Sequence, residues 1–183
     1  MNPTHTLSVH HGCVALVIML SLSACGGGSK SSNPPTGPQP LKETIQALED
    51  SGKIPKLDRS NDLLGPDANS NGVRDDIDAW IAAQPITEVQ KKAAQQMAKV
   101  QQAKLMADLN DKTALQALGE RSAAGVVCLG DVFMPDRQKG RDLRSQLEAM
   151  MANTEVRAKQ YINYNRAVSG STGRLPEGNT CEP

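Results

Sequence analysis

The chain has 183 residues, only 2% of them aromatic, and its 20 basic and 20 acidic residues cancel. One domain suits that length, and a zero formal charge supplies no global field to draw in nucleic acid or an anionic membrane surface. Trp80, Phe133, Tyr161 and Tyr164 are too few large side chains for an aromatic-rich β-sandwich, so Ala, Leu, Val and Met must supply the burial. That predicts an all-α fold, a small bundle of about five helices.

Histidine stands only at positions 5, 10 and 11, ahead of an apolar run. If that run is removed as a signal, no imidazole remains. Histidine general bases, Ser-His-Asp arrangements and Cys/His zinc sites then fall away together.

Cys13 to Leu22 is about ten apolar residues, too short to span a bilayer and suited to the hydrophobic region of an export signal. Leu22-Ser23-Ala24-Cys25, followed by Gly26, resembles the lipobox of bacterial lipoproteins. The resemblance implies that residues 1–24 are a signal peptide and that Cys25 carries acyl chains anchoring the protein in a lipid bilayer of the cell envelope. Glycine rather than aspartate after the cysteine resembles lipoproteins of the outer membrane. One departure is the absence of Lys or Arg before the apolar run. Residues 25–40 are rich in Gly, Ser and Pro and predict a disordered tether. By coil scaling it holds the domain on the order of 20 Å from the lipid.

Residues 41–183 form the predicted helical domain. Leu41, Ile45 and Leu48 recur at helical spacing and Gly52 with Pro55 ends the run, predicting a first helix. Lys53 to Pro66 reads as irregular. Asp67-Ala68-Asn69-Ser70-Asn71-Gly72-Val73-Arg74-Asp75-Asp76-Ile77-Asp78 then places oxygen-bearing side chains at every second residue before a glycine. A hard cation such as calcium wants six to eight oxygens, and such a loop folds them inward. The stretch resembles the half-hand calcium loops of dockerins and thrombospondin type 3 repeats, in which the turn enters a single helix. The resemblance covers about fourteen residues and implies side-chain ligands at Asp67, Asn69, Asn71, Asp75 and Asp78, with Asp75 acting through water and Val73 giving its carbonyl. It departs in closing on Asp78 instead of a bidentate glutamate, in using two asparagines, and in lacking a paired loop. Fewer charges imply weak, structural binding, with a Kd of about 0.1 to 1 mM. The competing reading is an Asx turn with Asp75 and Asp76 favouring a helix N-terminus.

Val73, Ile77, Trp80 and Ile81 predict a second helix with Trp80 as its anchor. Thr87 and Gln90 have the form of a capping box opening a long helix to about Leu109, with Val89, Ala93, Met97 and Val100 inside and its glutamines and lysines in solvent. Asp111 caps a fourth helix through Leu115, Leu118, Ala123 and Val127, weakened by Gly119 and Gly125, with Gly130 and Pro135 marking a break. Arg137, Lys139, Arg141 and Arg144 alternate with acids and lack interleaved aromatics, so they predict a charged helix face and no nucleic acid. Leu143, Leu147 and Met150 continue the apolar period. Asn153 and Thr154 either cap a further helix or lie within one, and Val156, Tyr161, Asn165 and Val168 lead to a stop at Gly170. With Cys13 removed and Cys25 acylated, as the lipobox resemblance implies, Cys128 and Cys181 remain and are expected to form a disulfide.

The function these features predict is a non-enzymatic lipoprotein of the outer membrane, stiffened by calcium and a disulfide, presenting a surface to an unknown protein or envelope partner. Two rivals are a metal-assisted hydrolase using Asp58 or Asp62, and a binder of a small apolar ligand lined by Met97, Met106, Met134, Met150 and Met151.

Overall fold

The computed structural model describes residues 40–183. Among them are six α-helices and no strand: α1 Leu41–Asp50, α2 Asp75–Ala83, α3 Glu88–Leu105, α4 Lys112–Val132, α5 Arg137–Met151 and α6 Glu155–Ala167. The sixth arises because Thr154 turns out of helical conformation and its hydroxyl accepts the Arg157 N–H, so Asn153 and Thr154 begin a new helix instead of lying inside one.

Helix α3 occupies the centre, touching α2, α4, α5 and α6. Its start is fixed as expected: the Gln90 N–H donates to Thr87 Oγ1 at 3.3 Å, and the Thr87 N–H donates to Gln90 Oε1 at 3.0 Å. It stops at Leu105, short of Leu109, and its polar residues do not form a solvated face. Gln96, Gln101, Gln102 and Lys104 are buried while Val89 is exposed. The periodicity argument fails here because neighbours cover the helix on nearly all sides, so polar side chains must find partners inside. Gln96 donates to the Thr180 carbonyl and accepts from the Glu182 N–H, and Gln90 donates to the Val132 carbonyl. Lys104 lies 5.6 Å from the Tyr164 ring centroid, and burial pushes its ammonium below the ordinary lysine range, with Glu148 opposing that shift and Arg144 adding to it.

The main core joins Val73, Ile77 and Ile81 to Ala93, Ala94, Met97 and Ala98 of α3, Cys128 and Leu129 of α4, and Leu143, Leu147, Met150 and Met151 of α5. Trp80 only packs against its edge; the isoleucines are the anchors of α2. A second cluster of Val100, Leu115, Leu118 and Tyr164 joins α3, α4 and α6. Val156 and Asn165 face outward, and Arg157 and Tyr164 take the inner side of α6. Gly125 and Gly130 lie within α4 and do not break it. A Cβ at Gly125 would come within 3.0 Å of Met97 Cε, and one at Gly140 within 3.0 Å of the Leu129 carbonyl oxygen, so these glycines let α4 approach α3 and α5 closely. The break falls at Phe133 to Pro135.

Between α1 and α2 the chain runs through 24 residues without regular structure, and their polar backbone needs partners. Arg157 supplies them for three carbonyls at its centre. Its Nε donates to the Leu63 carbonyl, Nη1 to the Asp58 carbonyl and Asn153 Oδ1, and Nη2 to the Asp62 carbonyl and Asp58 Oδ2. All five guanidinium donors are engaged in a side chain with no solvent exposure. At the other end of the same network, Asp76 accepts from Arg74 Nε and from the Asp58 N–H, and Arg74 Nη2 donates to the Met150 carbonyl. Gly65 lies between the two arginines: a Cβ there would sit 2.5 Å from Arg74 Cδ and 2.8 Å from Asp58 Oδ2.

The polar tail is held by Cys128–Cys181, with an S–S distance of 2.02 Å. The expected pairing is therefore present.

Three outcomes follow for stability. Replacing Arg157 with Met strands the Asp58 carboxylate, which keeps 21% of its side-chain surface exposed, so a loss near the lower end for a broken buried pair, about 3 kcal/mol, is expected in urea unfolding. Burial pushes the Asp58 carboxyl up, but hydrogen bonds from Arg157 and Ser60 together with the Arg157 charge bring it below its usual value of 3.8. A depressed folded-state pKa gives stability that is present above 3.8 and lost as pH falls through the lowered value, so Asp58→Asn should flatten the acid limb of a stability profile. Reducing the disulfide reopens a loop with a sequence separation of 53 and should lower unfolding free energy by about 4 kcal/mol in the chain-entropy description, read by denaturation with and without reductant.

Candidate metal centre

The stretch from Asp67 to Asp78 forms one compact turn leading into α2. Its curvature comes from two left-handed residues, Ser70 at φ 55° and Gly72 at φ 83°. Only the second is a glycine, so Ser70 is held there by its surroundings. The base is closed twice: the Asp75 N–H donates to the Pro66 carbonyl at 2.8 Å, and the Ala68 N–H to Asp75 Oδ1 at 3.0 Å. Val73 is fully buried, so the loop leaves directly from the core.

Inside the turn the alternating side chains bond to the backbone ahead of them. Asp67 Oδ1 accepts from the Asn71 N–H at 3.1 Å and Oδ2 from the Gly72 N–H at 2.9 Å. Asn69 Oδ1 accepts from the Asn71 N–H and Asn71 Oδ1 from the Val73 N–H. The amide nitrogens of Asn69 and Asn71 both donate to Asp78 Oδ2, whose helix position places it across the mouth of the loop. Asp78 Oδ1 is buried without a hydrogen-bond partner. An orphaned carboxylate oxygen is costly, and it marks where positive charge would be accommodated.

The structure thus brings Asn69, Asn71 and Asp78 together and stacks Asp67 behind them on the loop backbone. Asp75 is engaged with the loop base. Among the described residues no three His, Cys, Asp or Glu side chains gather at metal-binding distance, so any cation here would depend on amide and main-chain oxygens beside Asp67 and Asp78. The donor set fits a hard, weakly held ion. As placed, the Asn69 and Asn71 amide oxygens accept from the Asn71 and Val73 N–H groups, so an ion in front of Asp78 would take the place of the two amide N–H donors there.

The interior residues that sequence reasoning did not identify are Arg74, which lies within this loop, and Arg157, which holds the irregular segment ahead of it. Arginine is seldom fully buried, and nothing in helical periodicity marks these two as interior. The available signal was indirect: a long irregular segment with few apolar residues needs donors for its carbonyls. Asp58 and Asp62, considered above as catalytic acids, belong to that arrangement. Asp58 accepts from Arg157 and Ser60, and Asp62 from the Leu64 N–H. Of the methionines considered for a ligand groove, Met97, Met150 and Met151 are core, whereas Met106 and Met134 are exposed.

The lipobox cysteine Cys25 and residues 26–39 of the tether lie outside the described residues. No helix among the described residues is long and apolar enough to cross a membrane. Comparison of the chain with protein-family models, with curated proteins and with solved structures returns no match.

Proposed function

We propose that this chain is a non-enzymatic, lipid-anchored module of the bacterial envelope, most consistent with the outer membrane, in which the loop from Asp67 to Asp78 takes one weakly bound calcium ion and presents the bundle to a protein or envelope partner. The observation that carries the ion is the buried, partnerless Asp78 Oδ1 at the mouth of a turn already bent by Ser70 and Gly72. In this reading Asp67, Asn69, Asn71 and Asp78 supply side-chain oxygens, Val73 its carbonyl, and Asp75 a water-mediated contact. The ion supplies positive charge that cross-links the loop to the first turn of α2. That turn already gathers Asp75, Asp76 and Asp78, whose mutual repulsion a cation relieves. The anchor rests on the Leu22-Ser23-Ala24-Cys25 sequence.

The test uses Trp80, which sits on α2 and packs at the edge of the core. At several millimolar calcium, with a Kd of about 0.1 to 1 mM, linkage predicts about 1 to 2 kcal/mol of added stability. For a domain of this size that raises the melting temperature by a few degrees over EDTA, with a parallel change in Trp80 fluorescence. Asp78→Ala and Asp67→Ala should each abolish the difference while still melting cooperatively. Coincident melts and spectra in EDTA and in calcium for the unaltered protein would remove the ion from the account. Separately, Cys25→Ser should eliminate palmitate labelling and release the protein from the membrane fraction; retention of both in the variant would remove the anchor.

A further inference from the structure

A shallow groove of about 300 Å³ runs beside the loop, between α3 and α4. Its floor is apolar, made by Leu64, Ala103 and Met106, and the loop contributes Gly72 at one end. Leu64 is fixed in place because Gln102 Nε2 donates to its carbonyl at 2.8 Å. Leu64 and Met106 remain 40% and 55% exposed, so the floor is open and not sealed by another part of the described chain. Two cations stand at the sides, Lys99 and Arg121, and no carboxylate lines the space. Lys99 reaches only a distant partner, Glu182 at 3.8 Å, and a Cβ at Gly72 would come within 4.0 Å of its Cγ. Arg121 is exposed and makes no hydrogen bond or ion pair within the described residues. In a chain whose charges balance overall, a lining with two cations and no anion selects the sign of what it accepts.

We propose that this groove binds a small apolar carboxylate, with its acid group between Lys99 and Arg121 and its hydrocarbon on Leu64, Ala103 and Met106. The volume lies at the lower end for small-molecule sites, which favours a single short chain or ring over a larger ligand. A planar guanidinium with all its outward donors free matches a carboxylate in two parallel hydrogen bonds, and the lysine adds a point charge. Met106 gives the floor a side chain that adapts to the shape laid on it. The cations come from α3 and α4, outside the ion loop, while Asn71 and Gly72 of that loop line one end of the groove, so binding is measured without calcium.

Octanoate, 1-octanol and acetate separate the contributions when each is titrated into the 15N-labelled protein in EDTA. Octanoate should produce saturable shifts centred on the amides of Leu64, Gly72, Ala103 and Met106. Octanol, lacking the charge, and acetate, lacking the chain, should each bind at least about fivefold more weakly. Arg121→Gln, at an exposed position, should weaken octanoate about fivefold without changing the melting temperature, and Lys99→Gln should do so to a smaller extent. Absence of saturable octanoate binding overturns the proposal. So does equal binding of octanol, a response centred on other amides, or an Arg121→Gln protein that binds octanoate as before.

Discussion

The guanidinium of Arg157 is the point on which the rest of this molecule depends. Each of its five N–H donors is engaged, four by residues 58 to 63 and one by Asn153, two residues before α6. A segment of 24 residues with no helix or strand ordinarily stays loose, because its backbone groups find nothing better than water. Here a single buried cation gathers three carbonyls and a carboxylate. The charge is acceptable in the interior because its hydrogen bonds are complete and Asp58 balances it.

That arrangement extends by contact to the candidate ion loop. Asp58 gives its N–H to Asp76, Asp76 accepts from Arg74, and Arg74 reaches the end of α5 at the Met150 carbonyl. Arg74 lies within the loop at the entrance of α2, so the loop is fastened to two other helices before any ion is considered. Its outer side is different. There, Asn69 and Asn71 lean on one oxygen of Asp78 and leave the other without a partner. The inner half of the loop is thus tied to the bundle, while its outer half leaves a buried carboxylate oxygen unsatisfied.

Helix α3 shows the same economy in a chain with few large side chains. Since it is covered by four other helices, its glutamines serve as internal ties, holding the chain end at Thr180 and Glu182, the end of α4 at Val132, and the irregular segment at Leu64. The disulfide adds a covalent tie beside the first of these. Gly125 and Gly140 stand at positions where a methyl group would crowd a neighbouring helix.

Much of the fold was legible in residues that act locally. The all-α class, the Thr87 and Gln90 capping box, the Asp111 cap, the turn ending in Gly72 and the only cysteine pair left downstream of position 25 follow from spacing and from chemistry that operates within a few residues or by elimination. Asn69, Asn71 and Asp78 do meet, because one turn and one helical turn suffice to bring them together, but through the asparagine nitrogens and not through the oxygens expected to face an ion. Tertiary structure alone decided which polar residues go inside. Arg74, Arg157, Gln96, Gln101, Gln102 and Lys104 look like surface residues in one dimension, and Val89 and Val156 look like core. Burial of a polar group is settled by whether distant parts of the chain offer it partners, as Asp58 does for Arg157 at a separation of 99 residues, and no local period carries that information.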